Sequence, residues 1–242
     1  MSAEESIEPH RPRKLVVAID GPAGAGKSTI ARHLARRFGL LNLETGAMYR
    51  ALALKALRSE IPLDDSSALV QLAAETSIDL EPGEEENRVL LDGEDVTGQI
   101  RNQTVTDAAS RVSVFPPIRS AMVRRQQEMG AEGGVVMEGR DIGTVVFPNA
   151  EVKIFLDAAP EVRGMRRYDQ IGQHGAKAPR QPEEVIRDLR ARDERDRNRS
   201  DSPLKPAPDA FLLDSTHMTL EEAVRAAEDT VSAWLGRSKT SL

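Results

Sequence analysis

The stretch LVVAIDGPAGAGKST, residues 15–29, decides the fold of this 242-residue chain. Five consecutive apolar residues lead to Asp20, which is typical of a strand buried on both faces of a sheet. From Gly21 to Ser28 the spacing is G-x-x-x-x-G-K-S, and a helical pattern follows directly. A strand, a glycine-rich loop and a helix in this order predict a loop that holds the phosphates of a nucleoside triphosphate.

Each residue type in this loop has a chemical reason. The glycines allow the backbone to turn so that its N–H groups point at phosphate oxygens, and the positive end of the following helix adds to the attraction. Lys27 can reach the β- and γ-phosphates, and the Ser28 hydroxyl can coordinate Mg²⁺. The predicted triphosphate-binding residues are Gly21, Pro22, Ala23, Gly24, Ala25, Gly26, Lys27, Ser28 and Thr29, with Lys27 as a catalytic residue and Ser28 as the metal ligand.

The amino-acid composition disfavours several classes of binding protein. A net charge of −6 argues against general binding to nucleic acids or membranes, and the aromatic content of 3% disfavours base stacking on aromatic side chains. The chain has no cysteine, which excludes disulfides and fits the reducing cytoplasm. The polar N-terminus lacks the apolar core of a signal peptide. We therefore expect a cytoplasmic protein that binds small molecules, with neither a nucleic-acid polymer nor a membrane as partner. A monomer is expected because the sequence shows no apolar repeat or heptad.

Apolar strands alternate with helical patterns along much of the chain. Val135–Met137, Val152–Leu156 and Phe211–Leu213 are short apolar runs, and each is followed directly by an acidic residue. This alternation predicts an α/β fold in which helices cover both faces of a parallel sheet. Ligands of such sheets lie beyond the carboxyl ends of the strands, where these acids and Asp20 fall.

In the middle of the chain, strands no longer alternate with helices. Ser77–Leu80, Arg88–Leu91 and Glu94–Val96 have the length of short strands, and the dipeptide DG at 92–93 fits a tight turn. We expect a small antiparallel meander inserted at about residues 60–100.

Two helices should follow the meander, one over about Thr104–Val114 and one from Pro117, because proline favours the first turn of a helix. We expect residues 14–236 to form one domain. Residues 1–13 and 237–242 are expected to be disordered tails, since both are polar.

Residues 182–199, PEEVIRDLRARDERDRNR, have the pattern of one helix that begins with a proline and two glutamates. At helical spacing one face is apolar in its first half and charged in its second: Val185, Leu189, Arg192, Asp196 and Arg199. Ion pairs on a solvated helix would explain this segment if it stood alone. With a triphosphate loop elsewhere in the chain, we favour a charged face that meets an anionic ligand.

A second stripe on the same helix is predicted to face solvent or the protein's own surface: Arg190, Glu194 and Arg197. Three further basic residues fall where a second phosphate could lie: Arg50, Arg119 and Arg140. Each alone is more often a surface ion-pair partner. Arg140 is the exception, because it stands at the carboxyl end of a predicted strand.

Six segments in order along the chain carry a family resemblance. They are DGPAGAGKST (20–29), TGAMYR (45–50), LLDGEDVT (90–97), EGRDIGTVVFP (138–148), KIFLDA (153–158) and RDERDRNR (192–199). Together they resemble the bacterial cytidylate kinase family of nucleoside monophosphate kinases. The resemblance implies a P-loop kinase core with a parallel sheet, an inserted antiparallel monophosphate-binding subdomain at about 60–118 and a short mobile lid at about 163–180. It also implies transfer of the γ-phosphate of ATP to CMP or dCMP.

The resemblance implies a role for individual residues as well. The CMP phosphate would be held by Arg50, Arg140 and Arg199, and the sugar by Arg192 and Asp196. The cytosine would be read by Ser110, Arg119 and Asp141. The lid would carry Arg163, Arg166 and Arg167, and the last two would act with Lys27 and Arg140 on the transferring phosphate.

Three positions depart from the family's pattern. Ala23 and Thr45 stand where many relatives carry serine. Thr45 keeps a hydroxyl and is still expected in the substrate site, whereas Ala23 loses one possible side-chain contact. Ser28 replaces a frequent glycine, so the loop fits the general magnesium pattern better.

Two other functions are compatible with the loop. One is a kinase for another small acceptor, such as UMP or a non-nucleotide metabolite. The other is a regulatory P-loop ATPase, which would hydrolyse ATP without an acceptor and would not need Arg140 or Arg199. A GTPase is disfavoured because the sequence has no Asn-Lys-x-Asp motif for guanine.

Lys27→Ala should abolish phosphoryl transfer and leave the fold intact, because the lysine supplies the positive charge next to the transferred phosphate. The measurement is ADP formation, with the thermal midpoint of unfolding as the control for folding. Turnover equal to that of the unmodified chain, at an unchanged midpoint, would show that the loop is wrongly assigned.

Overall fold

The computed structural model describes residues 15–81, 83, 87–173 and 181–240. The strands are β1 (Val16–Asp20), β2 (Leu41–Glu44), β3 (Ile78–Glu81), β4 (Arg88–Leu91), β5 (Glu94–Asp95), β6 (Val135–Gly139), β7 (Val152–Asp157) and β8 (Phe211–Asp214). The helices are α1 (Lys27–Phe38), α2 (Thr45–Arg58), α3 (Ser66–Ala74), α4 (Gln103–Val112), α5 (Pro116–Met129), α6 (Pro160–Gln173), α7 (Pro182–Asn198) and α8 (Leu220–Thr240). A 3₁₀ turn spans Gln99–Arg101 and a π-helical turn spans Ile142–Val146.

The main sheet is parallel, and its described strands have the order β2-β6-β1-β7-β8. β1 lies at its centre, with all of its residues buried. Val17 and Ile19 pack on one face against α1 and α8, whereas Val16 and Ala18 pack on the other, in a core that includes Ile142 and borders α5. The predicted α/β fold with helices on both faces is confirmed.

The chain between α2 and α5 holds the second sheet. Here β3, β4 and β5 pair in an antiparallel manner, as the strand pattern predicted. Asp92 and Gly93 have φ angles of 50° and 85°, which form the expected tight turn between β4 and β5. Helix α3 was not predicted, although its start carries a cap, since Asp65 accepts a hydrogen bond from the backbone N–H of Ala68 at 3.0 Å.

Helix α2 joins the two sheets. Its buried residues surround the helix and do not form a single stripe, which is typical of a helix inside a core. Met48 and Leu52 are fully buried in a core shared with Ile78 of the small sheet and Ile118 of α5. Because α2 begins at the carboxyl end of β2, this packing places its first turns beside the ligand edge of the main sheet.

Two helix ends differ from the sequence-based expectation. α7 ends at Asn198, with Arg199 as its C-cap residue in extended backbone. α8 continues to Thr240, so residues 237–240 are helical and the expectation of a disordered tail is wrong for them. The tail expected at residues 1–13 lies outside the described residues.

The expected lid is described only in part. Its residues 163–173 belong to α6, and residues 174–180 lie outside the described part of the chain. None of the described helices combines the length and the apolar composition needed to span a bilayer.

Leu52→Ala should lower the free energy of unfolding by about 2–5 kcal/mol, because it opens a cavity in the core around α2. Leu212→Ala is the matched control, since Leu212 on β8 is 64% exposed whereas Leu52 is 0% exposed. The control should change the free energy by less than about 0.5 kcal/mol. Urea denaturation measures both, and equal losses would contradict the central position of Leu52.

Candidate active site

The phosphate loop connects β1 to α1 at the carboxyl edge of the main sheet. Gly21, with φ of 148°, has no room for a side chain, because a Cβ would lie 1.9 Å from a carbonyl oxygen of β7. A Cβ on Gly24, with φ of 75°, would lie 3.1 Å from the carbonyl oxygen of Arg163. Lys27 is buried, and its Nζ donates a hydrogen bond to the Pro22 carbonyl oxygen at 2.7 Å. The ammonium group therefore folds back over the loop, with Ser28 and Thr29 following it in the first turn of α1.

Lys27 and Glu138 are buried groups of opposite charge beside this loop. Burial lowers the pKa of Lys27, repulsion by Arg140 acts in the same direction, and attraction to Glu138 opposes both. Burial raises the pKa of Glu138 and the carboxylate of Glu44 raises it further, whereas Lys27 and a hydrogen bond with Ser28 lower it. A phosphate in the loop would favour the charged form of Lys27, so the lysine is placed to respond to an anion.

The residues beside the loop fit a Mg²⁺ ion. Oε1 of Glu138 is buried and has no hydrogen-bond partner among the described residues, and the same side chain bonds to Ser28. Mg²⁺ prefers oxygen ligands and is commonly held by one or two protein groups together with the phosphates of a nucleotide. Two other acids lie nearby, but Asp20 already accepts backbone N–H groups with both oxygens and Glu44 is paired with Arg50. Glu138 and Ser28 are therefore the residues that could hold the metal.

Five arginines meet beyond the phosphate loop. They are Arg50 of α2, Arg140 after β6, Arg167 of α6, Arg192 of α7 and Arg199 at its end. Burial lowers the pKa of Arg192 to about 10, and the charges of Arg140, Arg50 and Arg167 act in the same direction. Asp196 lies among them, accepting a hydrogen bond from Arg140 Nε at 2.9 Å and lying 3.6 Å from Arg199 Nη1. The predicted phosphate and sugar residues are thus brought together.

Three of these arginines have buried N–H groups that bond to nothing in the described ranges 15–81, 83, 87–173 and 181–240: Arg50 Nε, Arg192 Nε and Arg199 Nη2. A buried donor without a partner costs about 1–3 kcal/mol, and more when it is charged. An anion with several oxygens would satisfy these groups with charge-assisted hydrogen bonds. The cluster has the chemistry of a phosphate receptor.

A second buried cluster of side chains joins α2, α4 and α5 with Asp141, the residue after Arg140. Arg119 and Asp141 form an ion pair there, and the Arg119 guanidinium carbon lies 5.8 Å from the centroid of the Tyr49 ring. Burial raises the pKa of Tyr49 to about 12, so its hydroxyl stays protonated. Ser110 is buried on α4, and its Oγ accepts a hydrogen bond from Arg195 Nη2 at 3.2 Å. Arg119 Nη1 also donates to the carbonyl oxygen of Ser113 at the end of α4, at 3.4 Å, so the residues predicted to read the base border one region.

The two stripes of α7 have different surroundings. Val185 and Leu189 pack against Ala23 of the phosphate loop, and the charged half of the same stripe joins the arginine cluster. Arg190 pairs with Glu161 and is exposed, as the sequence pattern predicted for the second stripe. Ala23 thus contributes an apolar contact between the loop and α7.

Comparison with known proteins agrees with this arrangement. The family model described as cytidylate kinase matches residues 17–232. The cytidylate kinase of Pasteurella multocida (strain Pm70) is 48% identical over 214 residues, which cover 88% of this chain and 93% of that protein. The cytidylate kinase of Solibacter usitatus (strain Ellin6076) is 50% identical, with 88% and 90% covered.

The chain belongs to the cytidylate kinase family. Among solved structures, a gluconokinase from Sinorhizobium meliloti 1021 has a TM-score of 0.49 and 13% identity, covering 96% of this chain and 99% of that one.

The arginines predicted to belong to a lid have different surroundings in this cytidylate kinase family member. Arg167 lies near the arginine cluster, where burial and the charges of Arg50 and Arg101 lower its pKa. Arg166 instead donates hydrogen bonds to Ser215 in the loop after β8, at 3.1 Å to its Oγ and 2.9 Å to its carbonyl oxygen. The structure therefore does not bring Arg166 to the acceptor arginines.

Arg163 is a structural part of the site and not an exposed lid group, since it is only 1% exposed. Its Nε donates to the Ala158 carbonyl oxygen at 2.7 Å, and its Nη1 donates to the Ala23 carbonyl oxygen at 3.0 Å. Nη1 also lies 2.6 Å from Asp193 Oδ2. This side chain joins the phosphate loop, the start of α6 and α7.

Sequence reasoning missed several groups that shape the site. Glu44 pairs with Arg50 at 2.5 Å and lies opposite Glu138 in the pairing of β2 with β6. Thr45, expected at the substrate, donates its hydroxyl proton to the Glu138 carbonyl oxygen at 2.7 Å. The available signal for Glu44 was its position at the carboxyl end of a strand. Tyr49 had no signal beyond its place in the motif TGAMYR.

Arg163→Met should lower the free energy of unfolding by about 3–5 kcal/mol, because it leaves Asp193 buried without its partner. The double variant with Asp193→Leu should recover part of this loss, since no charge is then unpaired. Urea denaturation of the unmodified chain, both single variants and the double variant gives the coupling. Strictly additive losses would contradict a direct pairing of the two side chains.

Proposed function

We propose that this member of the cytidylate kinase family transfers the γ-phosphate of ATP to CMP or dCMP, giving ADP and CDP or dCDP. One observation carries the proposal. A set of buried arginine N–H groups, unsatisfied within the described residues, lies beside a loop of the kind that binds ATP phosphates. A regulatory ATPase has no use for a second phosphate receptor, whereas a kinase with a phosphate acceptor requires one.

The chemistry needs no general base. The acceptor is a phosphate oxygen of CMP, which is ionised at neutral pH because the second pKa of such a phosphate is ~6. Its lone pair forms the new bond to the γ-phosphorus as the bond from that phosphorus to the β,γ-bridging oxygen breaks, and ADP leaves. The barrier is the approach of two anions, so catalysis consists of neutralising charge and holding both groups in line.

On the donor side, the loop residues 21–29 hold the phosphates of ATP with backbone N–H groups, and Lys27 neutralises the transferred phosphate. Ser28 and Glu138 would hold Mg²⁺. The ion, when bound, neutralises charge on the β- and γ-phosphates. Of the two predicted lid arginines we assign this role to Arg167, because it is buried near Arg50, whereas Arg166 bonds to Ser215.

On the acceptor side, Arg50, Arg140 and Arg199 bind the phosphate of CMP, and Arg192 and Asp196 bind the sugar. Arginine suits this task because its planar group can donate two parallel hydrogen bonds to a phosphate. Asp196 has a further effect, since its bond with Arg140 orients that guanidinium.

The base is selected by Ser110, Arg119 and Asp141. Cytosine presents an exocyclic amino group, whose N–H a carboxylate accepts, whereas uracil presents a carbonyl oxygen at that position, which a carboxylate repels. Asp141 is the carboxylate of this group. Its ion pair with Arg119 holds it in place.

The composition of the chain supports a proposal for its location, oligomeric state and partners. We propose a cytoplasmic monomer whose partners are the nucleotides themselves, on the basis of a net charge of −6 and a chain without cysteine. The lid at about 163–180 would close over both nucleotides and exclude water that would otherwise accept the phosphate.

A panel of acceptors tests the function. ADP formation is followed with ATP and Mg²⁺ in the presence of CMP, dCMP, UMP, AMP, GMP or no acceptor. We expect rapid turnover with CMP and dCMP, slower turnover with UMP and little without an acceptor. Rapid hydrolysis of ATP that no acceptor changes would favour the regulatory ATPase instead.

Arg199→Ala should reduce kcat/KM for CMP by about 10- to 150-fold, the equivalent of ~1.5–3 kcal/mol for a charge-assisted hydrogen bond. Asp196→Ala should also reduce it, because the sugar loses hydrogen bonds and Arg192 loses its nearby acid. Arg190→Ala is the matched control on the same helix, and it should change kcat/KM little because Arg190 is exposed.

The comparison is made at saturating ATP, with circular dichroism as the check of folding. Equal losses for Arg190→Ala and Arg199→Ala would mean that α7 is only a charged surface. The acceptor site would then have to lie elsewhere.

A further inference from the structure

Asp20 is a buried acid for which the proposed reaction has no direct use. It is the last residue of β1, directly before the phosphate loop, and it is 4% exposed. Its Oδ1 accepts a hydrogen bond from the backbone N–H of Ile142, and its Oδ2 accepts one from Gly143, each at 2.7 Å. The carboxylate is therefore directed at the segment that follows β6.

The segment that follows β6 includes Asp141, the carboxylate proposed to read the base. Ile142 and Gly143 open the π-helical turn, and Asp141 precedes it with φ of −147° and ψ of 24°. On the other side of Asp141, Gly139 lies opposite Asp20 in the pairing of β6 with β1. The same residue of β1 thus holds the chain both before and after Asp141.

The contact between Asp20 and the two backbone N–H groups depends on the ionised carboxylate. Burial raises the pKa of Asp20 to about 6, and the nearby Asp141 acts in the same direction, whereas the two backbone N–H groups and Lys27 lower it. A carboxylate has an acceptor oxygen for each of the two N–H groups. A carboxamide has only one acceptor oxygen, and its NH₂ group would face the other N–H donor.

We propose that Asp20 is a positioning residue for base selectivity. It holds residues 141–143 so that Asp141 meets the amino group of cytosine in the correct place, and it ties this segment to the strand that carries the donor loop. The inference rests on the proposed function, since it concerns how that reaction selects its acceptor. Selection by hydrogen bonds depends on such placement, because a small displacement of the reading group weakens the correct contact most.

The test is the ratio of kcat/KM for CMP to kcat/KM for UMP. Asp20→Asn should lower this ratio by about tenfold, towards the value of Asp141→Ala, while KM for ATP stays within about twofold. Asp65→Asn is the matched control, because Asp65 also accepts a backbone N–H but caps α3 outside the site. An unchanged ratio in Asp20→Asn, or an equal fall in Asp65→Asn, would overturn the inference.

A second measurement needs no activity. Hydrogen exchange of the backbone amides of Ile142 and Gly143 should be slow in the unmodified chain, and at least one of them should exchange about tenfold faster in Asp20→Asn, which leaves one N–H without an acceptor. Fast exchange of both amides in the unmodified chain would overturn the inference even if the variant does not fold.

The two proposals fail in different ways. If the unmodified chain does not phosphorylate CMP, the proposed function is wrong. If it prefers CMP to UMP and Asp20→Asn keeps that preference, only the role of Asp20 is wrong.

Discussion

Mutual repulsion of positive charges at the carboxyl edge of the main sheet is the constraint that the rest of the structure has to meet. Burial lowers the pKa of Lys27, and the charges of Arg140 and Arg192 lower it further. Burial and the charge of Arg140 likewise lower the pKa of Arg192. The few acids among them are shared, and Asp196 interacts with both Arg140 and Arg199. The protein alone does not satisfy all the hydrogen-bond donors of this cluster, because several guanidinium N–H groups bond to nothing else in the described chain. Bound phosphates would complete the balance, so binding of the substrates and stability of the site are linked.

The energy that holds these charges together comes from apolar and ionic contacts behind them. Leu52 and the rest of α2 fill a separate core that supports the first turns of that helix. The apolar half of α7 packs on Ala23, and Arg163 bonds both to the Ala23 carbonyl oxygen and to Asp193. The phosphate loop is therefore also a structural centre. A displacement of the loop would move α7 and with it the residues proposed to bind CMP.

The chemistry explains why the proposed site is rich in arginine and needs no general base. A phosphate that accepts a phosphoryl group is already ionised, so a general base would add little. Charge neutralisation and placement are what remain for the protein to supply. In our proposal Asp20 acts in the same way, because it positions Asp141 through the backbone N–H groups of Ile142 and Gly143 and takes no part in the reaction itself.

Some features of the fold and of the site were determined by the sequence itself, because they depend only on residues that are neighbours along the chain. The phosphate loop follows from the spacing of Gly21 and Lys27 between a strand and a helix, and the inner stripe of α7 follows from helical spacing. The missed helix α3 also had a local signal in Asp65. Tertiary structure decided the rest. Arg163 and Arg166 look alike in the sequence, yet one is buried behind the loop and the other bonds to the turn after β8. The bonds of Asp20 join residues 122 and 123 positions apart, and the order of strands that brings them together is a property of the folded sheet alone.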